Sequence, residues 1–223
     1  MADRTYTADD VPEQLIDQHR YTWVDDDWWD VVFEHWAEVL PERGIDLSYH
    51  ETRLVNGKFR ADPTIYFQLF VQGEYVEFKA ETRDEDEWAK LFAHAGCTGK
   101  FPVFMEYLKY GGVPFCADPH RGYNRSWLRE LDEEMVDFFY VLDNSTGAAA
   151  VLQEAVEREL PGVIETAEQV YEDTAEEIRK ALYDEHDYLT SDEFIAAQIA
   201  ECYPEWLDDW YADHPEDGWD EAA

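Results

Sequence analysis

The sequence predicts an α+β fold, in which a small antiparallel β-sheet is flanked by helices and the C-terminal third is mostly helical. Residues 64–82 contain two β-rich runs joined by a short segment around Gly73, a pattern typical of a β-hairpin. From about Ser145 onward, apolar residues recur at helical spacing instead. Hydrophobic residues make up 45% of the 223 residues and aromatic residues 16%, which is enough for a substantial core.

The central hairpin is bulky on both of its faces. In its first run, the odd-numbered residues from Ile65 to Val71 point to one face, and the even-numbered residues from Tyr66 to Gln72 point to the other. Both sets contain large apolar or aromatic side chains. We therefore expect one face to pack against helices, while the other face has a function besides packing.

Further elements are predicted on both sides of this hairpin. Two amphipathic helices are expected over Asp25–Arg43 and Asp84–Ala95, stopped by Gly44 and Gly96. The other predicted elements are a strand over Ile45–Leu54, a tight turn at Asn56-Gly57, a short helix over Phe101–Tyr110 and an edge strand within Val113–Asn124.

The C-terminal third is predicted to contain three helical segments. Pro161-Gly162 is expected to break or kink the first stretch, since proline lacks the amide proton that a helix interior needs. A capping box is predicted at 190–193, with Thr190 bonding forward and Glu193 reaching back. We expect residues 1–143 to form an α+β domain, with 144–223 as an acidic helical region packed on it or as part of one overall domain.

The charge of the chain is extreme and uneven. It has 53 acidic and 17 basic residues, a formal net charge of −36, which repels phosphates and anionic membranes and attracts basic proteins, cations or a very salty solvent. Residues 1–40 carry a net −9 and residues 165–223 a net −18, whereas the 124 residues between them carry −9. A coat adapted to high salt would cover every surface, so this asymmetry favours a directed acidic face.

The acidic helices suggest how such a face would act. Helical neighbours at i, i+3 and i+4 lie about 5–6 Å apart, and one DNA strand carries a phosphate every ~3.4 Å. Rows of carboxylates would therefore imitate a phosphate backbone, with interleaved aromatic residues as apolar anchors. The alternative is a solvated helical face over core aromatics. The predicted partner-binding residues are Asp173, Glu176, Glu177, Glu201, Glu205, Trp206, Asp208, Asp209, Trp210 and Asp213.

Signatures of catalysis are few. The chain has no P-loop, G-x-G-x-x-G, H-E-x-x-H or G-x-S-x-G motif, so no catalytic residue, cofactor or metal is predicted. A second hypothesis is a small metal-binding protein or hydrolase that uses Cys116, Asp118 and His120 as nucleophile and base, or as metal ligands with Cys97. A third is a non-catalytic halophilic globular protein.

Several motifs occur in the order that they have in one family. They are the first strand Ile65-Tyr66-Phe67-Gln68-Leu69-Phe70, the turn Gln72-Gly73-Glu74 with Phe78 after it, and Tyr188-Leu189-Thr190-Ser191-Asp192-Glu193. From Trp28 to Tyr203 the chain resembles a group of uncharacterised bacteriophage proteins with a Trp-bearing helix, an I-x-F-S-G-F strand and a Q-G-D-G turn. It departs where Gln68-Leu69 replaces Ser-Gly and Tyr75-Val76 replaces Gly and a small residue. The resemblance implies a phage origin and an α+β fold, but no activity.

These observations lead to one hypothesis about function. We expect a phage-encoded acidic protein that inhibits a host nucleic-acid-binding or anti-phage defence protein by presenting a DNA-like surface. The predicted partner is a host nuclease, restriction enzyme, polymerase or defence factor with a basic surface, and neither nucleic acid nor membrane is bound directly. Residues 1–15 lack the apolar run of a signal peptide, and three widely spaced cysteines favour a reducing compartment, so the host cytoplasm is expected.

Overall fold

The computed structural model describes residues 5–25, 27–53, 57–109, 115–117 and 148–215, and it has the predicted α+β fold. The α-helices in these ranges are α1 Glu13–His19, α2 Asp30–Val39, α3 Glu85–His94, α4 Pro102–Leu108, α5 Ala148–Leu189, α6 Asp192–Cys202 and α7 Pro204–Asp213. The strands are β1 Asp46–Leu47, β2 Tyr49–Arg53, β3 Phe59–Pro63, β4 Ile65–Gln68, β5 Tyr75–Phe78, β6 Ala80–Thr82 and β7 Phe115–Ala117. Short 3₁₀ helices span Ala8–Asp10 and Leu40–Arg43.

Several predicted elements are shorter than their sequence patterns. The helix expected over Asp25–Arg43 begins at Asp30, because residues 27–29 form a turn in which the Asp30 amide donates to the Asp27 carbonyl at 3.0 Å. The single strand expected over Ile45–Leu54 is divided at Ser48 into β1 and β2. Strand β2 pairs with β3, which was not predicted, on either side of the expected turn, whose Asn56 lies outside the described residues.

Three extended segments, residues 46–53, 59–68 and 75–82, each change their pairing partner midway. The first pairs with the third through β1 and β6 and with the second through β2 and β3, and the predicted hairpin β4–β5 joins the second to the third. At the crossing, three backbone amides donate in a closed cycle: Ser48 to Lys79, Lys79 to Thr64, and Thr64 to Ser48, each at 2.8 Å. This cycle satisfies backbone groups where the strands bend apart.

The strands that meet at this junction cover an aromatic core. Trp88 of α3 is fully buried, and its ring lies edge-on to Phe104 of α4 at 4.9 Å between centroids and to Phe115 of β7 at 6.0 Å. Tyr171 of α5 is also fully buried and stacks on Phe78 of β5 at 5.5 Å. The helices and strands of the centre of the chain are therefore held together mainly by aromatic packing.

A buried polar network fixes the end of α2 against the sheet. The Thr82 hydroxyl donates to the Gly44 carbonyl at 2.6 Å and lies 3.1 Å from the Tyr171 hydroxyl. Burial raises the pKa of Tyr171 far above its usual value, so its hydroxyl stays protonated. Gly44 has φ +78°, and a Cβ there would lie 1.9 Å from the Glu87 carbonyl oxygen. Only glycine allows α3 to approach this closely.

Helix α5 continues through Pro161, where the sequence predicted a break or kink. Buried residues on either side keep one helical spacing, namely Val156, Leu160, Val163, Ala167 and Val170. Because one continuous apolar face spans the proline, burial of that face outweighs the roughly 3 kcal/mol that an interior proline costs.

The predicted capping box is wrong by one residue. Ser191, rather than Thr190, caps α6, and its hydroxyl accepts the Phe194 amide at 3.2 Å. Thr190 instead donates its hydroxyl to the His186 carbonyl at 2.9 Å, so it belongs to the end of α5. The Thr190 hydroxyl, which the motif assigned to the cap of α6, therefore bonds to a carbonyl of α5.

The chain forms two compact units. The terminal unit consists of residues 1–30 and 181–223, and the central unit of residues 31–180. The boundaries of these units differ from the predicted division at residue 143, and that division stays a prediction. The terminal unit has its own core, which combines residues from both ends of the chain: Tyr6, Val11, Leu15, Ile16, Ile195, Ala196, Ile199, Leu207 and Trp210. Across the described residues, no helix combines the length and apolar character that crossing a bilayer requires.

Candidate partner-binding surfaces

The first predicted row of carboxylates, on α5, is engaged in contacts within the protein. Glu177 accepts from Arg43 at 2.7 Å, and Arg43 also lies over the Trp36 ring at 4.9 Å. Asp173 accepts from the Gln169 side chain at 2.8 Å. The third residue, Glu176, accepts from Arg179 one turn away. All three are exposed, but they do not form one uncompensated row.

A longer acidic stripe, not predicted from the sequence, lies on the same helix. Glu165, Glu168, Glu172 and Glu176 follow one another at intervals of three, four and four residues, so they share one side of α5. We call these four residues the α5 stripe. It extends over about 16 Å of helix at 1.5 Å per residue. The spacing is present in the sequence, where all four residues follow Pro161.

The carboxylates of the α5 stripe repel one another. Partial burial raises the pKa of Glu168, and the negative charges of Glu172 and Glu165 raise it further. Such a carboxyl holds its proton more tightly in the folded than in the unfolded chain, so its ionised form opposes folding at neutral pH. This repulsion lowers the stability of the folded protein, so packing alone does not explain why the stripe is present.

Replacing Glu168 by glutamine should therefore stabilise the protein at pH 7. Removing two like-charge helical pairs is worth roughly 0.5–1 kcal/mol, which corresponds to a rise of about 1–3 °C in melting temperature for a chain of this size. The gain should shrink as pH falls through the raised pKa of folded Glu168 and should be nearly gone below 4.5, the usual pKa of the group, because Glu168 is then neutral in both states. Thermal melts at pH 7 and pH 4 would test this, and an unchanged or lower melting temperature at pH 7 would contradict it.

A hollow of about 150 Å³ lies beside the stripe, between α5 and the β4–β5 hairpin. Glu74 and Glu77 line it from the hairpin, and Glu172, Glu176 and Arg179 line it from α5. Arg179 contacts Glu176 through two nitrogens, at 2.8 and 2.5 Å, and reaches Glu74 at 3.4 Å. The hollow thus gathers four carboxylates around one guanidinium. We call these five residues the acidic hollow.

The second predicted row lies in the terminal unit, at the end of α6 and on α7. Glu201, Glu205, Asp209 and Asp213 are exposed. Asp208 is also exposed and accepts the Tyr6 hydroxyl at 2.5 Å, which ties α7 to the N-terminal segment. Four of the five predicted carboxylates of this row therefore project from the surface without a structural role of that kind.

The two predicted tryptophan anchors lie inside the terminal unit. Trp210 is 8% exposed and belongs to the core of that unit, and its ring stacks on His214 at 4.0 Å. Trp206 is partly buried between His19 at 3.9 Å and Tyr203 at 4.5 Å. Apolar residues three to four positions apart on α7 face the same core, so their spacing reflects packing inside the unit rather than a binding surface. Trp210 is thus not available as a surface anchor.

The charge of the terminal unit is almost uncompensated. Its sequence contains 23 acidic residues and two basic ones, Arg4 and Arg20, for a net −21. Arg20 pairs with Asp17 at 2.6 Å and with Asp192 at 2.7 Å, linking α1 to the start of α6. The central unit, which is twice as long, carries −15. The terminal unit therefore has the higher charge density.

The Cys/Asp/His hypothesis remains a prediction. Cys116 lies in β7 opposite Glu81, and Cys97 follows α3, both with partly buried side chains. Asp118 and His120 lie outside the described residues. Among the residues that the structure does describe, no group of three or more His, Cys, Asp or Glu side chains is arranged to hold a metal ion.

Comparison with known proteins identifies a family. A family model described as "Domain of unknown function (DUF8835)" matches residues 28–192, which is well over half of the chain. The matched region runs from Trp28 through the strand junction and the α5 stripe to Asp192 at the start of α6. No curated protein and no solved structure matches the sequence. The chain belongs to the DUF8835 family.

Proposed function

We propose that this member of the DUF8835 family is an acidic interaction protein that occupies the nucleic-acid-binding surface of a basic partner. The observation that carries the proposal is the α5 stripe, where Glu168 stays next to Glu165 and Glu172 despite their repulsion. A basic partner would relieve that repulsion on binding, so the stability penalty in the free protein becomes binding free energy in the complex.

The spacing of the stripe suits this role. The carboxylates of Glu165, Glu168 and Glu172 span about 10 Å of helix and give one charge per ~5 Å, compared with one phosphate per ~3.4 Å along a DNA strand. The fourth, Glu176, is paired with Arg179. A groove lined with Lys and Arg for a nucleic-acid backbone would meet about two carboxylates for every three phosphates. The exposed carboxylates of α6 and α7 add a second acidic surface in the terminal unit.

The kind of partner follows from the charge. A chain with a net −36 attracts basic proteins and repels nucleic acids themselves. The resemblance to bacteriophage proteins extends the proposal to a host nuclease, restriction enzyme, polymerase or other defence factor in the host cytoplasm. The partner would be inhibited because its groove cannot bind the acidic protein and DNA at the same time.

The experiment compares two triple variants that remove the same number of charges. One carries Glu165→Gln, Glu168→Gln and Glu172→Gln in the stripe, and the other carries Glu201→Gln, Glu205→Gln and Asp209→Asn in the terminal unit. Each protein is used to capture partners from a host lysate, which are eluted by a salt gradient, and the main partner is titrated against duplex DNA. We expect the wild type to compete with DNA and to be released as salt rises.

The stripe variant should bind the captured partner about tenfold more weakly or worse, because three charge pairs at the surface are lost. The terminal variant controls for the loss of net charge outside the stripe and also tests the second acidic surface, on α6 and α7. If it loses affinity instead, the predicted row on α6 and α7 carries the contact. A partner that binds both variants like the wild type, or that ignores DNA, would refute the proposal.

A further inference from the structure

The tip of the β4–β5 hairpin presents apolar side chains to solvent. Phe70 is 53% exposed and Val71 is 48% exposed, and both lie in the turn after β4. The alternation of the sequence predicted that Phe70 would continue the strand, but β4 ends at Gln68. Neighbouring large apolar residues that stay exposed at a turn are unusual, since turns favour small and polar residues.

The backbone at Phe70 is held in an unfavourable conformation. Its φ is +63°, and it is the one non-glycine residue with positive φ among the described residues. A bulky side chain rarely adopts this left-handed region, because Cβ then crowds the backbone. Where the surrounding structure maintains such strain at a surface, it indicates that the position of the side chain matters.

Two acidic-hollow residues maintain this conformation. The Phe70 amide donates to one carboxylate oxygen of Glu74 at 3.1 Å, and the other oxygen of Glu74 lies 3.4 Å from Arg179 of α5. Arg179 is held in turn by Glu176. The backbone of Phe70 is therefore held relative to the carboxylates of the hollow through a chain of polar contacts. A turn whose backbone is held before binding loses less conformational entropy on binding.

We infer that the Phe70-Val71 tip is the apolar anchor of a contact with a basic protein, inserting into an apolar pocket bordered by Lys or Arg side chains. The carboxylates of the acidic hollow would pair with those cations. This inference rests on the proposed function and gives it an anchor, the role that Trp210 does not have. Interfaces of this kind gain most of their energy from a few central aromatic residues surrounded by polar contacts.

Charge complementarity selects this partner over the alternatives. Glu74 accepts the Phe70 amide at the tip, and it lines the acidic hollow together with Glu77, Glu172, Glu176 and Arg179. A second copy of this chain would bring another net −36 toward these carboxylates, and a nucleic acid would bring phosphates, so both are repelled. A basic protein surface satisfies the carboxylates and the apolar tip together.

The test uses two labelled synthetic peptides of equal charge and length. Both contain six lysines, and they differ only in that one carries four leucines where the other carries four serines. Fluorescence anisotropy at two salt concentrations measures their binding to the full chain. We expect the leucine peptide to bind the wild type at least tenfold more tightly than the serine peptide, and we expect Phe70→Ser to remove that preference.

Two further variants separate contact from folding. Phe59→Ser removes an aromatic side chain that is 63% exposed on β3, outside the turn, and should keep the preference. Phe70→Gly removes the ring in a residue that tolerates positive φ, so it should lose the preference while melting no lower than the wild type.

Equal binding of both peptides by the wild type, or a preference that survives in Phe70→Gly, would overturn the inference. These outcomes differ from failure of the proposed function. Loss of the α5 stripe affects charge-dependent binding of both peptides, whereas loss of the tip affects only the difference between them.

Discussion

Replacing Gly44 by alanine is expected to lower the free energy of unfolding by about 3–5 kcal/mol, near the upper end for a single substitution. The left-handed backbone of Gly44 alone costs a non-glycine residue roughly 1–2 kcal/mol. In addition, the new Cβ would lie 1.9 Å from the Glu87 carbonyl oxygen and 2.9 Å from the Leu91 amide nitrogen. These are backbone atoms of α3, so the helix itself must move, which also disturbs the bond from Thr82 to the Gly44 carbonyl.

Gly57 and Gly96 provide matched controls for that substitution. They have φ values of +80° and +68°, close to that of Gly44, but nothing lies within 4 Å of a Cβ added at either position. Gly57→Ala and Gly96→Ala should therefore show the conformational cost alone, about 1–2 kcal/mol. Chemical denaturation of the three variants would measure the difference. Equal losses at all three positions would mean that the packing of α3 against Gly44 contributes nothing.

Elements that depend on neighbouring residues were predictable from the sequence. Asp84 caps α3 by accepting the Glu87 amide at 2.9 Å, and Trp88, Leu91 and Phe92 bury the face that their spacing indicated. The β4–β5 hairpin pairs Ile65 with Phe78, within the two runs that predicted it. In these cases local geometry and hydrophobic spacing specify the same structure.

The strand junction could not be predicted in the same way. The change of pairing partner depends on bonds between Ser48, Thr64 and Lys79, which are 15 to 31 positions apart in the sequence. Segments 46–53 and 75–82 contain no glycine or proline that would mark a bend, and Pro63 marks it only in segment 59–68. Partner choice at such a crossing is a property of the assembled sheet rather than of any one segment.

The candidate surfaces were predicted only in part, for a related reason. The carboxylates at 176 and 177 were correctly expected on a helix, but their partners Arg179 and Arg43 decide whether their charge is available to another protein. Arg43 is 134 residues from Glu177 in sequence, so that pairing depends on the tertiary fold. Trp210 likewise lies in the core of the terminal unit, because helical spacing cannot tell a core face from a binding face.

Replacing Ile199 by alanine should destabilise both ends of the chain together. Ile199 on α6 is fully buried in the core of the terminal unit, which also contains Leu15 and Ile16 of α1. Truncating a buried isoleucine to alanine removes about 2–5 kcal/mol of stability. Since 1.4 kcal/mol is a factor of ten, a loss of about 3 kcal/mol would raise hydrogen exchange more than a hundredfold wherever exchange requires opening of this unit.

The informative site is α1, about 180 positions before Ile199 in the sequence. If the two ends form one cooperative unit, amides of α1 should lose protection by the same factor as those of α6. Glu201→Ala, an exposed change two residues away on the same helix, should leave both unchanged. Faster exchange in α6 with unchanged exchange in α1 would show that the N-terminal segment is held independently. The exposed carboxylates of α6 and α7 would then lie on a surface that does not depend on that segment.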